Sequence, residues 1–177
     1  MPRLIAVLAA ICMSAAAAAE PIGYFTPEGT GYDPAIPTPE SVIGHELGAK
    51  PVRHDMLVRY LRAVAASSDR LSIETIGHSH EGRPIEFLIA TAPDNHARLE
   101  EIRQAHLALN DPGSDASPDA DMPVVTWLNY GVHGAESSGM DAALPVAYHL
   151  AAAEGEAIAR QLAESVILIP AIFNPDG

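Results

Sequence analysis

Two residues with metal-binding side chains, His133 and Glu136, lie three positions apart directly after an apolar run. An imidazole nitrogen and a carboxylate oxygen are ligands that suit Zn²⁺, at about 2.0–2.2 Å from the ion. The run from Pro123 to Tyr130 is typical of a buried strand, and an Ala-rich helical pattern begins near Ser137. We therefore predict that His133 and Glu136 bind a catalytic zinc ion from a turn between a strand and a helix.

The spacing of this pair is a weak signal by itself, because His78 and Glu81 have the same spacing. Position distinguishes the two pairs. His133 and Glu136 follow the carboxyl end of a predicted central strand, where ligand crevices of open α/β sheets lie. His78 and Glu81 fall between two predicted edge strands. We predict zinc ligands at the first pair and not at the second.

The composition describes an acidic, moderately apolar chain of 177 residues with a net charge of −13. Apolar residues make up 48 %, which is enough for one domain with a packed core. The excess of acidic residues argues against nucleic acid as the partner, because phosphate binding requires a basic surface.

Residues 1–19 have the pattern of a secretory signal peptide. Arg3 precedes an apolar run from Leu4 to Met13, and small residues, Ala17 to Ala19, come before Glu20. The run is too short to span a membrane. We therefore predict a secreted or periplasmic protein with no membrane association after cleavage. The single cysteine, Cys12, lies in this segment, so a metal site in the mature chain must use His, Asp or Glu.

The remaining chain predicts four strands and three helices. The predicted strands are Leu71–Gly77, Pro84–Thr91, Pro123–Tyr130 and Ser165–Ile172, and the predicted helices are Arg53–Ser67, Asp94–Leu109 and Ser137–Ala153. The first two strands form an antiparallel hairpin with Gly82 in its turn. The third and fourth flank a helix, which favours a right-handed parallel crossover. The apolar third strand predicts burial on both faces, in the middle of the sheet. Residues 20–51, rich in Pro and Gly, predict an extended lead-in on the surface.

Three pieces of the sequence resemble the zinc metallocarboxypeptidases of the carboxypeptidase A type. The segment Ile76–Ile85 is similar to that family's Gly-x-Ser-x-Glu-Gly-Arg-Pro hairpin. His133-Gly-Ala-Glu136 resembles its first pair of zinc ligands, and Asn174-Pro-Asp-Gly177 resembles a marker that follows a strand. The pieces occur in the family's order, and the resemblance covers residues 52–177.

The resemblance implies an α/β fold with a mixed, mostly parallel sheet, helices on both faces, and one catalytic zinc bound by His133 and Glu136. It implies structural roles for the hairpin and for Asn174–Gly177. In the family the third zinc ligand, the arginines that polarise the carbonyl and the glutamate that activates water follow the last motif. We therefore expect residues 52–177 to be the N-terminal portion of a catalytic domain. We also expect a sheet incomplete at its C-terminus, with the general base and oxyanion residues beyond Gly177, and no activity for this portion alone.

The predicted function of the intact protein is zinc-dependent hydrolysis of amide bonds in exported or cell-wall peptides. Ala135 replaces an arginine that often precedes the glutamate ligand in the carboxypeptidase A type. The His-Gly-x-Glu form is similar to bacterial members acting on cell-wall peptides and to amidohydrolases that cleave acyl-amino acids. Two alternatives therefore stay open, namely an acyl-amino-acid amidohydrolase of the same superfamily and a non-catalytic exported binding domain.

Overall fold

The computed structural model describes residues 21–177, so the predicted signal peptide of residues 1–19 lies outside the described part. The helices are α1 (Pro39–Ile43), α2 (His54–Ala65), α3 (Pro93–His96), α4 (Leu99–Asn110), α5 (Ser137–Ala152) and α6 (Glu156–Ala163), and the strands are β1 (Leu71–His78), β2 (Pro84–Ala90), β3 (Val124–Trp127) and β4 (Ser165–Pro170). Within residues 21–177 no helix is both long enough and apolar enough to cross a membrane.

The described strands form one sheet in the order β1-β2-β4-β3. β1 pairs with β2 and β2 with β4 in antiparallel fashion, and only β3 and β4 are parallel. The prediction of a mostly parallel sheet is therefore wrong for this part of the chain, although the fold is mixed α/β. The short connection after β1, with Gly82 at a φ of 78°, makes the first pair antiparallel. The crossover through α5 and α6 supplies the single parallel pair.

The prediction of a central position for the third strand is also wrong. Among the described strands β4 lies between two neighbours, and β3 lies at the edge. Val124 of β3 is 64 % exposed and Trp127 is 53 % exposed. The crossover rule makes β3 and β4 parallel neighbours, but it does not specify which of them lies next to the hairpin. The apolar run predicted buried side chains, whereas Val124 and Trp127 are exposed.

The family resemblance implied helices on both faces of the sheet, and in the described residues α2 and α5 pack on one face while α4 borders the other. On one face, Leu88 of β2 and Ile169 of β4 belong to the core that includes α2 and α5. Successive side chains of a strand point to opposite faces. Ile89 and Leu168 accordingly line a cavity of about 420 Å³ on the other face, which α4 borders through Ile102.

The predicted helix over residues 94–109 is divided into α3 and α4. Asn95, in α3, is buried at 4 % exposure. Its side-chain amide donates to the Thr91 hydroxyl at 3.0 Å and to the Ala163 carbonyl at 2.9 Å. These tertiary hydrogen bonds connect α3 to the residue after β2 and to the end of α6.

The segment before α2 is more than an extended lead-in. It contains α1, whose N-terminal Thr38 hydroxyl accepts a hydrogen bond from the backbone of Ser41. Ile36, Ile43 and Leu47 in this segment are each 5 % exposed or less and belong to the main core. The apolar residues of this Pro- and Gly-rich segment thus contribute to the core, although their spacing follows neither a helical nor a strand period.

Helix α2 fixes the position of β2, and with it the hairpin. Glu86 of β2 is 2 % exposed and forms an ion pair with Arg62 of α2. Its other oxygen accepts a hydrogen bond from the Thr75 hydroxyl at 3.1 Å. At the beginning of both elements, His54 Nε2 donates to the carbonyl oxygen of Pro84 at 2.9 Å. Because a buried carboxylate requires such partners, the hairpin cannot shift against α2 without a large cost.

Replacement of Leu88 tests the position of the core between the sheet and α2. Leu88 is 0 % exposed, so Leu88→Ala should leave a cavity and lower the free energy of unfolding by about 2–5 kcal/mol. Leu107→Ala removes the same atoms from a residue that is 50 % exposed, and should change stability by about 0.5 kcal/mol or less. Urea unfolding followed by circular dichroism measures both, and equal losses would contradict this packing.

Candidate metal centre

His133 and Glu136 lie on one turn that leaves the sheet next to the end of β4. Beyond β3 the pairing continues, because the backbone N–H of Tyr130 donates to the Pro170 carbonyl at 3.1 Å. The turn is then closed by a hydrogen bond from the Glu136 N–H to the His133 carbonyl at 3.0 Å. α5 begins at Ser137, so the Glu136 carboxylate lies at a helix N-terminus, where negative charge is favoured.

Both side chains are exposed and available for a ligand. Within residues 21–177, neither His133 nor Glu136 forms a side-chain hydrogen bond or ion pair with the protein. A nitrogen donor and an oxygen donor on one turn fit the chemistry of a zinc site. Among the described residues, however, no group of three or more His, Cys, Asp or Glu side chains could hold a metal ion. The pair therefore supplies two donors of the right chemistry and no identified third.

The backbone of this turn lies close against the chain that follows β4. Gly131 has a φ of 59°, and a Cβ atom there would be 3.0 Å from Ile172. The two segments are joined by hydrogen bonds from the Phe173 N–H to the Tyr130 carbonyl and from the Asn174 N–H to the Gly131 carbonyl, both at 3.0 Å. Glycine at position 131 thus permits both the left-handed backbone and the close approach.

Gly134, between the two candidate ligands, contacts the Asn174–Gly177 turn directly. A Cβ atom at position 134 would lie 2.0 Å from the carbonyl oxygen of Asn174 and 2.9 Å from that of Gly177. No side chain other than hydrogen fits at that distance. The Asn-Pro-Asp-Gly turn and the His-Gly-Ala-Glu turn are therefore packed backbone against backbone.

The hairpin connection contacts the opposite side of the Asn174–Gly177 turn. Asp176 Oδ1 accepts hydrogen bonds from the Ser79 hydroxyl at 2.7 Å and from Arg83 Nη1 at 3.0 Å. Asp176 Oδ2 accepts the backbone N–H of Glu81 at 2.9 Å. Arg83 Nη1 also donates to the Pro175 carbonyl at 2.6 Å. Two motifs almost one hundred residues apart thus form one polar cluster.

These contacts keep Asp176 ionised. Desolvation on its own would raise the pKa of this carboxyl group. The hydrogen bonds from Ser79 and Glu81 and the charge of Arg83 outweigh it, so the pKa of Asp176 lies below its ordinary value of 3.8. At neutral pH its hydrogen bonds are therefore charge-assisted, and such bonds are shorter and stronger than neutral ones.

The second His-x-x-Glu pair has a different environment. His78 ends β1 and is exposed. The carboxylate of Glu81 forms an ion pair with the guanidinium of Arg83 at 2.6 Å, which balances its charge. The Glu81 side chain is thus ion-paired, whereas the side chains of His133 and Glu136 have no protein partner within the described residues.

A cleft of about 560 Å³ lies beside the candidate metal centre. Its lining includes Gly134 of the candidate turn, Pro175 and Gly177 of the turn after β4, and the charged residues Arg53, Asp55 and Arg83. Cavities of about 300–1,000 Å³ are typical of small-molecule sites. The turn that carries His133 and Glu136 thus borders a cleft of that size through Gly134, the residue between the two candidate ligands.

Sequence reasoning missed the direct contact of Ser79 and Arg83 with Asp176. Both motifs were identified and given structural roles, but nothing in a single sequence indicates that they touch. The available signal was chemical, since a Ser-x-Glu-Gly-Arg segment and an Asp-Gly turn hold complementary donors and acceptors. Predicting the contact of Ser79 and Arg83 with Asp176 requires knowing that β2 pairs with β4 and in which register.

The sequence model of the zinc carboxypeptidase family matches residues 57–177, which include the hairpin, the candidate ligands and the final turn. The chain therefore belongs to the zinc carboxypeptidase family, a family of hydrolases. No curated protein matches the chain.

A methyl group at position 134 tests the contact between the two turns. Gly134→Ala places Cβ 2.0 Å from the Asn174 carbonyl oxygen, so the turns must separate. We expect a loss of about 1–3 kcal/mol in the free energy of unfolding, as for other overpacked sites. Gly23→Ala is the control, because no atom lies within 4 Å of its added Cβ. Chemical denaturation of both variants measures the difference, and an unchanged Gly134→Ala variant would contradict the close packing.

Proposed function

We propose that this chain provides two zinc ligands, His133 and Glu136, of a carboxypeptidase-type hydrolase acting on peptides. Membership of the zinc carboxypeptidase family supports the reaction class. The observation that carries the assignment is the placement of both side chains, exposed and unpaired within the described residues, on one turn beside the cleft.

The donor set suits the ion that the family implies. Nitrogen and oxygen ligands bind Zn²⁺, and catalytic sites combine three protein ligands with an open position. When bound, zinc lowers the pKa of its water and polarises the scissile carbonyl. His133 and Glu136 would hold the ion at the end of the sheet. Because two ligands are identified, we expect residues 21–177 alone to bind zinc without hydrolysing peptides.

An exported or cell-wall peptide is the substrate class that we favour. Ala135 leaves no cationic side chain between Gly134 and Glu136, and this absence distinguishes the turn from relatives that use an arginine there. The cleft of about 560 Å³ has the volume of a small-molecule site and is lined by the charged residues Arg53, Asp55 and Arg83. The signal-peptide pattern of residues 1–19 supports export of the protein to a compartment where such peptides occur.

Zinc titration of matched histidine variants tests the ligand assignment. His133→Ala removes the nitrogen donor, so the dissociation constant for Zn²⁺ should rise about tenfold or more. The matched control is His78→Ala, which removes the histidine of the second His-x-x-Glu pair and should leave the constant unchanged. NMR of the histidine ring protons during titration with Zn²⁺ identifies which imidazole binds.

Glu136→Gln provides an independent arm of the same test. It keeps the size of the side chain but removes its charge, and zinc affinity should fall as it does for His133→Ala. Loss of zinc binding in His78→Ala, with binding retained in His133→Ala, would contradict the proposal and place the ion at the hairpin.

A further inference from the structure

We propose that Asp176 is a positioning residue for the zinc ligands. It connects the hairpin to the Asn174–Gly177 turn, and that turn holds Gly134 between His133 and Glu136. This inference rests on the proposed function, because it concerns the same pair of ligands. It assigns a definite task to a cluster of residues that the sequence identified only as a motif.

The hairpin connection holds the side chain of Asp176 in place. Its two carboxylate oxygens accept three hydrogen bonds, from the Ser79 hydroxyl, the Glu81 backbone and the Arg83 guanidinium. The donors lie in the connection after β1, which β2 anchors to α2 through Glu86. The Asp176 carboxylate is therefore held by a part of the molecule that is itself fixed to the core.

The turn that carries Asp176 contacts the turn that carries the candidate ligands. The turn that carries Asp176 begins at Asn174, whose carbonyl oxygen lies 2.0 Å from where a Cβ atom of Gly134 would be. Gly134 is one residue from His133 and two from Glu136. A displacement of the Asn174–Gly177 turn therefore changes the packing against the backbone that carries both ligands.

Within the described residues, no protein side chain forms a hydrogen bond with the side chain of His133 or Glu136. Only the backbone of their turn can fix their mutual geometry. If the binding-competent form of that turn becomes less populated, the apparent dissociation constant rises in inverse proportion.

The same geometry argues against a direct ligand role for Asp176. Oδ1 accepts two hydrogen bonds and Oδ2 accepts one, with a guanidinium as one of the donors. Release of this carboxylate to a metal would leave the Ser79 hydroxyl without its acceptor and would remove one of the acceptors of Arg83. Asp176 therefore acts on the site through the backbone that it holds.

Two measurements on Asp176→Asn test the proposal in the full chain. An amide in place of the carboxylate removes the charge and cannot accept at both positions, so the hold of the hairpin on the turn should weaken. We expect amide hydrogen exchange over residues 131–136 to become about tenfold faster in metal-free protein, and the Zn²⁺ dissociation constant to rise about tenfold. Glu100→Gln is the control, because it neutralises a carboxylate that accepts hydrogen bonds from Arg103 and Gln104 on exposed α4.

Ser79 provides a second route to the same test if Asp176→Asn does not fold. Ser79→Ala removes one donor to Asp176, so it should raise both the amide exchange rate over residues 131–136 and the Zn²⁺ dissociation constant. Ser79→Thr keeps the hydroxyl, so both values should return toward those of the unsubstituted protein. A merely structural role would lower the stability of the whole chain without this local pattern. Unchanged exchange over residues 131–136 and unchanged zinc affinity in the folded variants would overturn the proposal.

The two proposals fail in different ways. Absence of zinc binding in the unsubstituted protein would contradict the zinc assignment, and the exchange measurement requires no metal. In that case faster exchange over residues 131–136 in Asp176→Asn would support the link from Asp176 to the turn. Unchanged exchange would overturn that link as well.

Discussion

The Asp176 carboxylate joins three parts of the molecule that are far apart in sequence. It accepts hydrogen bonds from the connection after β1, and its own turn lies against Gly134. The glycine at position 134 is as important as the carboxylate, because any larger residue would separate the two turns. The ion pair of Asp176 with Arg83, its hydrogen bonds and the close contact at Gly134 thus connect the hairpin to the turn that carries His133 and Glu136.

The order of the strands explains why these contacts form. β4 lies between β2 and β3, so its C-terminal turn has the hairpin on one side and the turn after β3 on the other. A sheet with β3 next to the hairpin would place the Asn174–Gly177 turn away from one of them. The antiparallel pairing of β2 with β4 brings the beginning of β2, directly after Arg83, to the end of β4 where Asp176 follows.

Local patterns predicted the elements well and their arrangement less well. The alternation in residues 71–77 and the apolar run of residues 165–172 identified β1 and β4, and Gly82 indicated the hairpin turn. The apolar run that became β3 was indistinguishable from a central strand, because an apolar run predicts burial without specifying strand order, and in β3 neither burial nor a central position is found. The turn carrying His133 and Glu136 was located by the change from a strand pattern to a helix pattern. The contact of Arg83 with Asp176 depends on tertiary register, which a single sequence does not contain.

The most direct test of the zinc assignment is anomalous diffraction at the zinc absorption edge from crystals of this chain grown with Zn²⁺. The arrangement of the two turns predicts a peak bonded to a nitrogen of His133 and an oxygen of Glu136, at about 2.0–2.2 Å from each. Asp176 should keep its hydrogen bonds to Ser79 and Arg83 in the same crystal. A zinc peak at His78 or Glu81, with none between His133 and Glu136, would contradict the assignment.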